Sequence, residues 1–179
     1  MPTRTEKLKQ AFNEWKIPIA AFAAALILFK FVFLLVFIPT SSMYPTLPSP
    51  CYSISIRAAY WFNDPVRGDI VLFRRDNGDK TIFAKRLVGM PGDTIEIKHG
   101  ITYINGEVFE ENYLKETPDD ESYGPFQIPE GCYFMMGDNR NHSYDSRKWN
   151  EHFVPRKNIL SKIYYSISLE EFVSDQQQE

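Results

Sequence analysis

The chain has 179 residues, a hydrophobic fraction of 44% and a formal net charge of −3 at pH 7. This length allows one ordinary domain with an appendage and is too short for two well-filled hydrophobic cores. The acidic balance argues against a nucleic-acid binder, because no excess of Lys and Arg is available to neutralise phosphates. The two cysteines, Cys51 and Cys132, lack the spacing of a zinc site, so we expect two separate buried thiols, with a disulfide as the alternative.

Residues 17–38 form a continuous apolar run, IPIAAFAAALILFKFVFLLVFI, with a single charge at Lys30. As an α-helix this run would be roughly 33 Å long, which is enough to cross the hydrocarbon core of a bilayer. A cleaved signal peptide is the alternative, but the run is longer than a typical signal-peptide core and no A-x-A-like cleavage site follows it. The run therefore predicts a retained transmembrane anchor.

Basic residues are concentrated before the apolar run, at Arg4, Lys7, Lys9 and Lys16, and the next basic residue after it is Arg57. The positive-inside rule therefore predicts that residues 1–16 are cytoplasmic and that the chain after Ile38 is extracytoplasmic. This arrangement predicts a single-pass protein of the inner (plasma) membrane, with membrane lipid as a partner. Lys30 would cost about 2.5–3.5 kcal/mol near the bilayer centre, and the sequence assigns it no function.

After Pro39 the chain changes to short runs rich in β-branched and aromatic residues, which predict strands. The predicted strands cover residues 68–73, 93–98, 101–104, 132–136 and 162–167. Turn signals lie between such runs at Asn77-Gly78, His99-Gly100, Asn105-Gly106 and Pro129–Gly131. We therefore expect residues 39–170 to form a mainly β domain of antiparallel hairpins. Residues 110–126 are acidic and predict a surface loop, and residues 171–179 predict a disordered tail.

Several familiar catalytic patterns are absent, including H-E-x-x-H, the phosphate-binding G-x-x-x-x-G-K, G-x-S-x-G and S-x-x-K. Their absence argues against metal-dependent hydrolysis, nucleotide chemistry and the α/β-hydrolase class. Three other segments combine residue types that a solvated loop does not need together. They are PTSSMYPTL (39–47), AKRLVGMPGD (84–93) and GDNRNHSYDSR (137–147).

A serine hydroxyl in the first of these segments would need a base within hydrogen-bond reach. The histidines of the chain are His99, His142 and His152, and either His99 or His142 can be an ordinary exposed side chain. Lys85 fits a base better, because in a strand it would share a face with the apolar Phe83 and Leu87, and desolvation lowers the pKa of a lysine. A surface lysine remains the competing interpretation.

Together with the anchor, these segments and RGDIVLF (67–73) resemble the signature boxes of type I signal peptidases, the membrane-anchored Ser-Lys proteases that remove signal peptides from exported proteins. The resemblance covers the anchor and nearly all of the outer domain. It implies a β-rich fold of antiparallel sheets, no metal and no cofactor. It also implies preprotein signal peptides as substrates, with small side chains at the first and third positions before the cut, and proximity to the secretion translocon.

The resemblance also implies roles for individual residues. Ser42 aligns with the nucleophile, Lys85 with the general base, and Ser143 with the residue that orients the lysine amine. The Thr40 hydroxyl and the backbone N–H of Ser42 would stabilise the oxyanion. A supporting charged network would comprise Arg86, Asp138, Asp145 and Arg147. The chain departs from the family at PSPCYS (48–53), where a short Gly-Asp turn is usual, and this leaves the path of the following strand open.

Three alternatives to an active signal peptidase follow from the same residues. One is a specialised pilin- or conjugation-processing protease of the same superfamily, whose boxes look similar. A second is a noncatalytic membrane-bound assembly factor, which the presence of both Ser42 and Lys85 disfavours. A third is a self-cleaving Ser-Lys repressor protease, which would lack the anchor and carry a DNA-binding module.

Overall fold

The computed structural model of the chain describes residues 4–75, 78 and 81–169, and within residues 6–11 it describes the backbone alone. Asn77 of one predicted turn and the whole predicted tail, residues 171–179, lie outside the described residues. The described part consists of one long N-terminal helix followed by strands in two antiparallel sheets. This arrangement confirms the predicted mainly β fold with a single apolar helix before it.

Helix α1 (Arg4–Val32) contains a stretch, Phe12–Val32, that is long and apolar enough to cross a membrane. None of this stretch is buried within the protein. A helix that is apolar and uncovered by protein is stable when lipid surrounds it. The helix therefore has the length and composition of a membrane anchor.

The helix predicted over residues 17–38 has different bounds in the structure. The helix begins upstream, at Arg4, and ends at Val32, and the last six residues of the apolar run form strand β1 (Phe33–Ile38). All six residues of β1 pair with β2 (Cys51–Ile56), so the backbone groups on one side of β1 are hydrogen-bonded within the sheet. Periodicity cannot separate a helix from a strand inside one continuous apolar run, so the sequence did not indicate this boundary.

The remaining strands follow in chain order and pair antiparallel wherever they pair. They are β3 (Ile70–Arg74), β4 (Ile82–Gly89), β5 (Thr94–Lys98), β6 (Ile101–Ile104), β7 (Glu107–Val108), β8 (Tyr123–Gln127), β9 (Cys132–Met136), β10 (Val154–Pro155) and β11 (Ile159–Ser168). All five predicted strands are confirmed. Strand β8 lies partly inside the stretch that was predicted to be a surface loop.

The strands form a larger sheet in the order β1-β2-β11-β3-β4-β9-β10 and a smaller one in the order β7-β6-β5-β8. The small sheet contains two predicted hairpin turns. His99 and Gly100 have φ values of 49° and 77°, and Asn105 and Gly106 have 54° and 86°, which is the left-handed backbone that such tight turns require. In the large sheet, β11 lies between β2 and β3: its first residues, Ile159–Lys162, pair with β3, and Lys162–Ser168 pair with β2.

The two cysteines are free thiols. Cys51 is fully buried at the start of β2, and Cys132 is partly buried at the start of β9. Cys51 belongs to a buried apolar cluster with Ile38, Met43, Leu47, Leu72 and Ile163. This cluster lies where β1 ends and therefore supports the segment that follows it.

Candidate active site

Ser42 lies in a short 3-10 turn, Ser41–Met43, that follows β1. Met43 is fully buried in the apolar cluster below the turn, so the turn is fixed from that side. On the other side, the backbone N–H of Asn139 donates to the carbonyl of Ser42 at 3.1 Å, and its side-chain amide donates to the carbonyl of Ser41 at 3.1 Å. The Ser42 side chain therefore has a defined position at the edge of the large sheet.

Lys85 projects from β4 toward Ser42, and its Nζ donates a hydrogen bond to the Ser42 hydroxyl. The lysine is 5% exposed and the serine 8%, so both groups are largely shielded from water. Burial lowers the pKa of Lys85 to about 8, against the opposing effect of the nearby carboxylates of Asp145 and Asp138. A lysine with this pKa can act as a base near neutral pH, and its neutral amine could activate a hydroxyl within hydrogen-bond reach as a nucleophile.

The structure disfavours a histidine as the base for Ser42. His99 lies in an exposed hairpin turn, where its Nδ1 is 2.6 Å from Asp120. His142 lines a different cavity with Tyr44 and Asn139. His152 has its Nδ1 2.6 Å from the carbonyl of Ser146. Among the described residues, the basic side chain in contact with the Ser42 hydroxyl is Lys85.

Thr40, the residue before the 3-10 turn, lies beside the Ser42 hydroxyl. The distance between its Oγ1 and the Ser42 Oγ is 3.5 Å, and the threonine itself is exposed. The N–H groups at the start of a helical turn have no partner within that turn. The Thr40 hydroxyl therefore lies close to the Ser42 hydroxyl, and the N–H of Ser42 is not used within its own turn.

Gly137 is a site residue that the sequence did not reveal. A Cβ at this position would lie 2.2 Å from Ser143 Oγ and 2.5 Å from the carbonyl oxygen of Ser42. Only glycine allows the loop carrying Ser143 to approach the backbone of Ser42 this closely. Its sequence context, GDNR, carries no signal for such a contact, because the requirement comes from packing between distant segments.

Ser143 is buried beside Gly137. Among the described residues its hydroxyl has no partner at hydrogen-bonding geometry, so the predicted hydrogen bond to the Lys85 amine is not formed. Its role in orienting the lysine stays a prediction.

The predicted residues Asp145 and Arg147 form a buried ion pair next to this loop. Arg147 donates to Asp145 through Nε at 2.8 Å and Nη2 at 2.9 Å, and the N–H of Gly137 donates to the same carboxylate at 2.9 Å. Burial alone would raise the pKa of Asp145, but Arg147, the Gly137 N–H and the nearby Ser143 hydroxyl lower it below its usual value. Asp145 is therefore ionised and holds Gly137 in place.

The predicted residues Arg86 and Asp138 form a second ion pair beside Lys85. Arg86 contacts the two carboxylate oxygens of Asp138 at 2.8 and 2.6 Å, and Thr46 donates to Asp138 at 2.5 Å. Arg86 also donates to the carbonyl of Gly68 at 2.8 Å. These contacts join β4, the segment after Ser42 and the loop that begins at Gly137.

A third pair, Arg140 and Glu111, was not predicted. Arg140 belongs to the quoted GDNR segment but was given no role, and Glu111 was assigned to a solvated loop. The two side chains are 2% and 6% exposed, and two hydrogen bonds of 2.6 and 2.5 Å join them. The structure therefore contains a buried carboxylate in a stretch whose composition indicated only surface charge.

A cleft of about 310 Å³ leads to Ser42 and Lys85. Its walls come from β1, the segment after it and the start of β4, and its lining includes Val36, Ile38, Thr40, Leu72, Ile82 and Ala84. Strand β1 pairs with β2 alone, and β4 pairs with β9 only from Arg86 onward. Two strand edges without a strand partner in the described residues thus border the cleft.

Comparison with known proteins gives consistent results along most of the chain. The family described as signal peptidase, peptidase S26, matches residues 12–167. The probable signal peptidase I-2 of Synechocystis sp. is 41% identical over 133 residues, covering 72% of this chain and 60% of that relative. The signal peptidase I of Bacillus amyloliquefaciens is 37% identical over 159 residues, covering 82% of each chain.

The crystal structure of a signal peptidase I from Enterococcus faecalis V583 is 32% identical and has a TM-score of 0.48, covering 57% of this chain and 98% of that one. The chain thus spans about 60% of the length of the Synechocystis relative and about four fifths of the Bacillus one.

Proposed function

We propose that this chain, which belongs to the signal peptidase family, peptidase S26, is an active membrane-anchored serine endopeptidase that removes signal peptides from exported preproteins. The observation that carries the proposal is the hydrogen bond between Lys85 Nζ and Ser42 Oγ in a site shielded from water. A lysine whose pKa is lowered to about 8 can accept the serine proton without a histidine or a metal ion.

The proposed reaction follows from these two groups. Ser42 Oγ attacks the carbonyl carbon of the scissile bond while the neutral Lys85 amine takes the hydroxyl proton. The tetrahedral intermediate collapses, the lysine ammonium returns the proton to the leaving amine, and an ester between the signal peptide and Ser42 remains. Lys85 then takes a proton from a water molecule that attacks the ester, and it returns this proton to Ser42 Oγ as the second tetrahedral intermediate collapses. The signal peptide is released with a free carboxylate, and both side chains are restored.

The oxyanion of the tetrahedral intermediate needs hydrogen-bond donors that already point at it. The hydroxyl of Thr40 lies 3.5 Å from the nucleophilic oxygen, and the N–H of Ser42 is at the start of its turn. Removing one donor from such a site typically costs about 2.7–4 kcal/mol of transition-state stabilisation. We propose these two donors as the oxyanion hole, and Ser143 as the residue that orients Lys85 once substrate is bound.

The cleft supports a preprotein substrate bound in extended form. An extended peptide can pair with an open strand edge through its backbone, which leaves specificity to pockets for alternate side chains. The edges of β1 and β4 border the cleft, and Val36, Ile82 and Ala84 give it an apolar lining. We propose that small side chains at the first and third positions before the cut face this lining.

The membrane arrangement proposed from the sequence completes this function. The basic residues before α1 favour a cytoplasmic N-terminus in the plasma membrane, with the catalytic domain on the opposite side and in contact with lipid. A substrate leaving the secretion translocon would reach the cleft from the membrane plane. The contact between Ser42 and Lys85 disfavours a noncatalytic assembly factor. A specialised pilin-processing protease would differ from a general signal peptidase only in its substrate.

The test uses the full chain in detergent with a preprotein that carries an A-x-A cleavage site. Wild type should cleave it, Ser42→Ala and Lys85→Ala should not, and the neighbouring Ser41→Ala should keep most of the activity. The same preprotein with a bulky residue before the cut should resist cleavage. A wild-type chain that is inactive where a known signal peptidase cleaves would overturn the proposal, as would equal activity in all the variants.

A further inference from the structure

Two cations that the catalytic site does not use share a groove at the junction of α1 and the large sheet. Lys30 lies in the last turn of the helix, and Arg57 follows β2. Both line two adjoining cavities of about 420 and 400 Å³. The rest of the first cavity is apolar and is lined by Phe29, Phe33, Leu34, Leu35 and Ile54.

The groove lies where the apolar span of α1 ends. The span ends at Val32, and the backbone N–H of Arg57 donates to the carbonyl of Val32 at 2.7 Å. Lys30 is two residues before that end, on an exposed face of the helix. At this height the lysine can extend its amine into the headgroup layer while its methylene groups stay in apolar surroundings.

Neither cation has a carboxylate partner in the described part of the chain. The Nε of Arg57 is moreover buried and has no hydrogen-bond partner there. A buried donor on a charged group is costly when it is unsatisfied, and an anionic oxygen is the acceptor that compensates it best. The groove therefore combines a requirement for an anion with a surface for an apolar chain.

We propose that this groove binds one anionic phospholipid of the surrounding bilayer. Its phosphate lies between Lys30 and Arg57, and one acyl chain follows Phe29, Phe33 and Leu34. A lipid with net negative charge fits better than a zwitterionic one. No described carboxylate pairs with either cation, and no described carboxylate is placed to bind the ammonium of a zwitterionic headgroup. The lipid would fix the angle between the helix and the sheet, and it accounts for a lysine inside an otherwise apolar run.

The test uses the full chain in bilayer discs made of equal parts phosphatidylcholine and phosphatidylglycerol. Native mass spectrometry after release from the discs should show one retained lipid, with phosphatidylglycerol favoured. Each of Lys30→Gln and Arg57→Gln should lower that preference about fivefold, the effect of one basic charge near a membrane surface. Lys98→Gln, which removes an exposed cation from β5, should leave it unchanged.

Two further arms keep the test decisive. Arg57→Lys keeps the charge and removes Nε, so it should retain part of the preference even if Arg57→Gln folds poorly. Millimolar inorganic phosphate should not displace the lipid, and displacement would identify a site for free anions instead. Equal retention of the two lipids by wild type, or an unchanged preference in both glutamine variants, would overturn the proposal.

Discussion

Glu111 and Arg140 form a buried, bidentate ion pair that joins the small sheet to the loop carrying Ser143. The two hydrogen bonds between their side chains measure 2.6 and 2.5 Å, and Arg140 also donates from Nε to the carbonyl of Gly137 at 3.0 Å. The carbonyl of Arg140 in turn accepts from Arg147 at 2.8 Å. Glu111, which lies in a stretch whose composition is typical of a protein surface, thereby helps to fix the backbone at Gly137 next to the candidate site.

Glu111→Gln should destabilise the outer domain by about 3–5 kcal/mol, because the Arg140 charge is left buried without a counter-charge. The measurement is thermal or denaturant unfolding of the full chain in detergent. The matched control is Glu96→Gln, whose partner Lys98 is 54% exposed, and its cost should stay below about 1 kcal/mol. Similar stability losses in the two variants would show that the Glu111 pair contributes no more than a surface pair.

Gly137→Ala should reduce kcat/KM about a hundredfold or more, since the added Cβ would overlap the carbonyl oxygen of Ser42 and displace the nucleophile. The measurement is cleavage of a preprotein at saturating and limiting concentrations. Gly106→Ala is the control. An alanine is strained at Gly106 because φ is 86°, but an added Cβ there has no atom within 4 Å. Normal activity in Gly137→Ala would contradict the close approach described here.

The rate should rise with pH in a way set by Lys85. Burial lowers the pKa of this lysine to about 8, so the ammonium predominates below pH 8 and the free amine above it. Since the proposed base is the free amine, kcat/KM should increase about tenfold per pH unit well below 8 and level off above it. Circular dichroism across the same range separates this titration from unfolding. A rate that is constant between pH 6 and 9, or that falls as pH rises, would contradict the lysine as base.

Thr40→Val should lower kcat by about 10²–10³ with little change in KM, because the removed hydroxyl acts on the oxyanion and not on bound substrate. The valine is similar in shape, and Thr40 is exposed, so stability should not change. Thr40→Ser keeps the hydroxyl and should retain most of the activity. A Thr40→Val variant with normal kcat would remove this residue from the proposed oxyanion hole.

The parts of this structure that the sequence predicts are those determined by short-range signals. Alternation and β-branched residues indicated the strands, and the His99-Gly100 and Asn105-Gly106 turns have the left-handed backbone that their glycines favour. The segments holding Ser42 and Lys85 were predicted by their resemblance to family signatures. The structure adds that the two side chains are in contact although they lie 43 positions apart.

The parts that the sequence does not predict depend on contacts between distant segments. The change from helix to strand after Val32 follows from pairing with β2, and the local composition is equally apolar on both sides. Glu111 belongs to an acidic stretch, and only Arg140, 29 positions later, explains why it is buried. Gly137 does not have a left-handed φ, so the need for glycine at this position is visible only from how closely Ser42 and Ser143 approach it.

Because no linker separates α1 from β1, the distance between the end of the helix and Ser42 is restricted. The helix ends at Val32, the strand begins at Phe33, and six extended residues can place Ile38 at most roughly 20 Å from the helix end. Ser42 lies four residues further on, and the proposed anchoring of α1 in the bilayer would therefore hold the serine at a height limited by this distance. For the proposed substrates, recognition would then include a length: the number of residues between a preprotein's own apolar segment and its cut site must match that height.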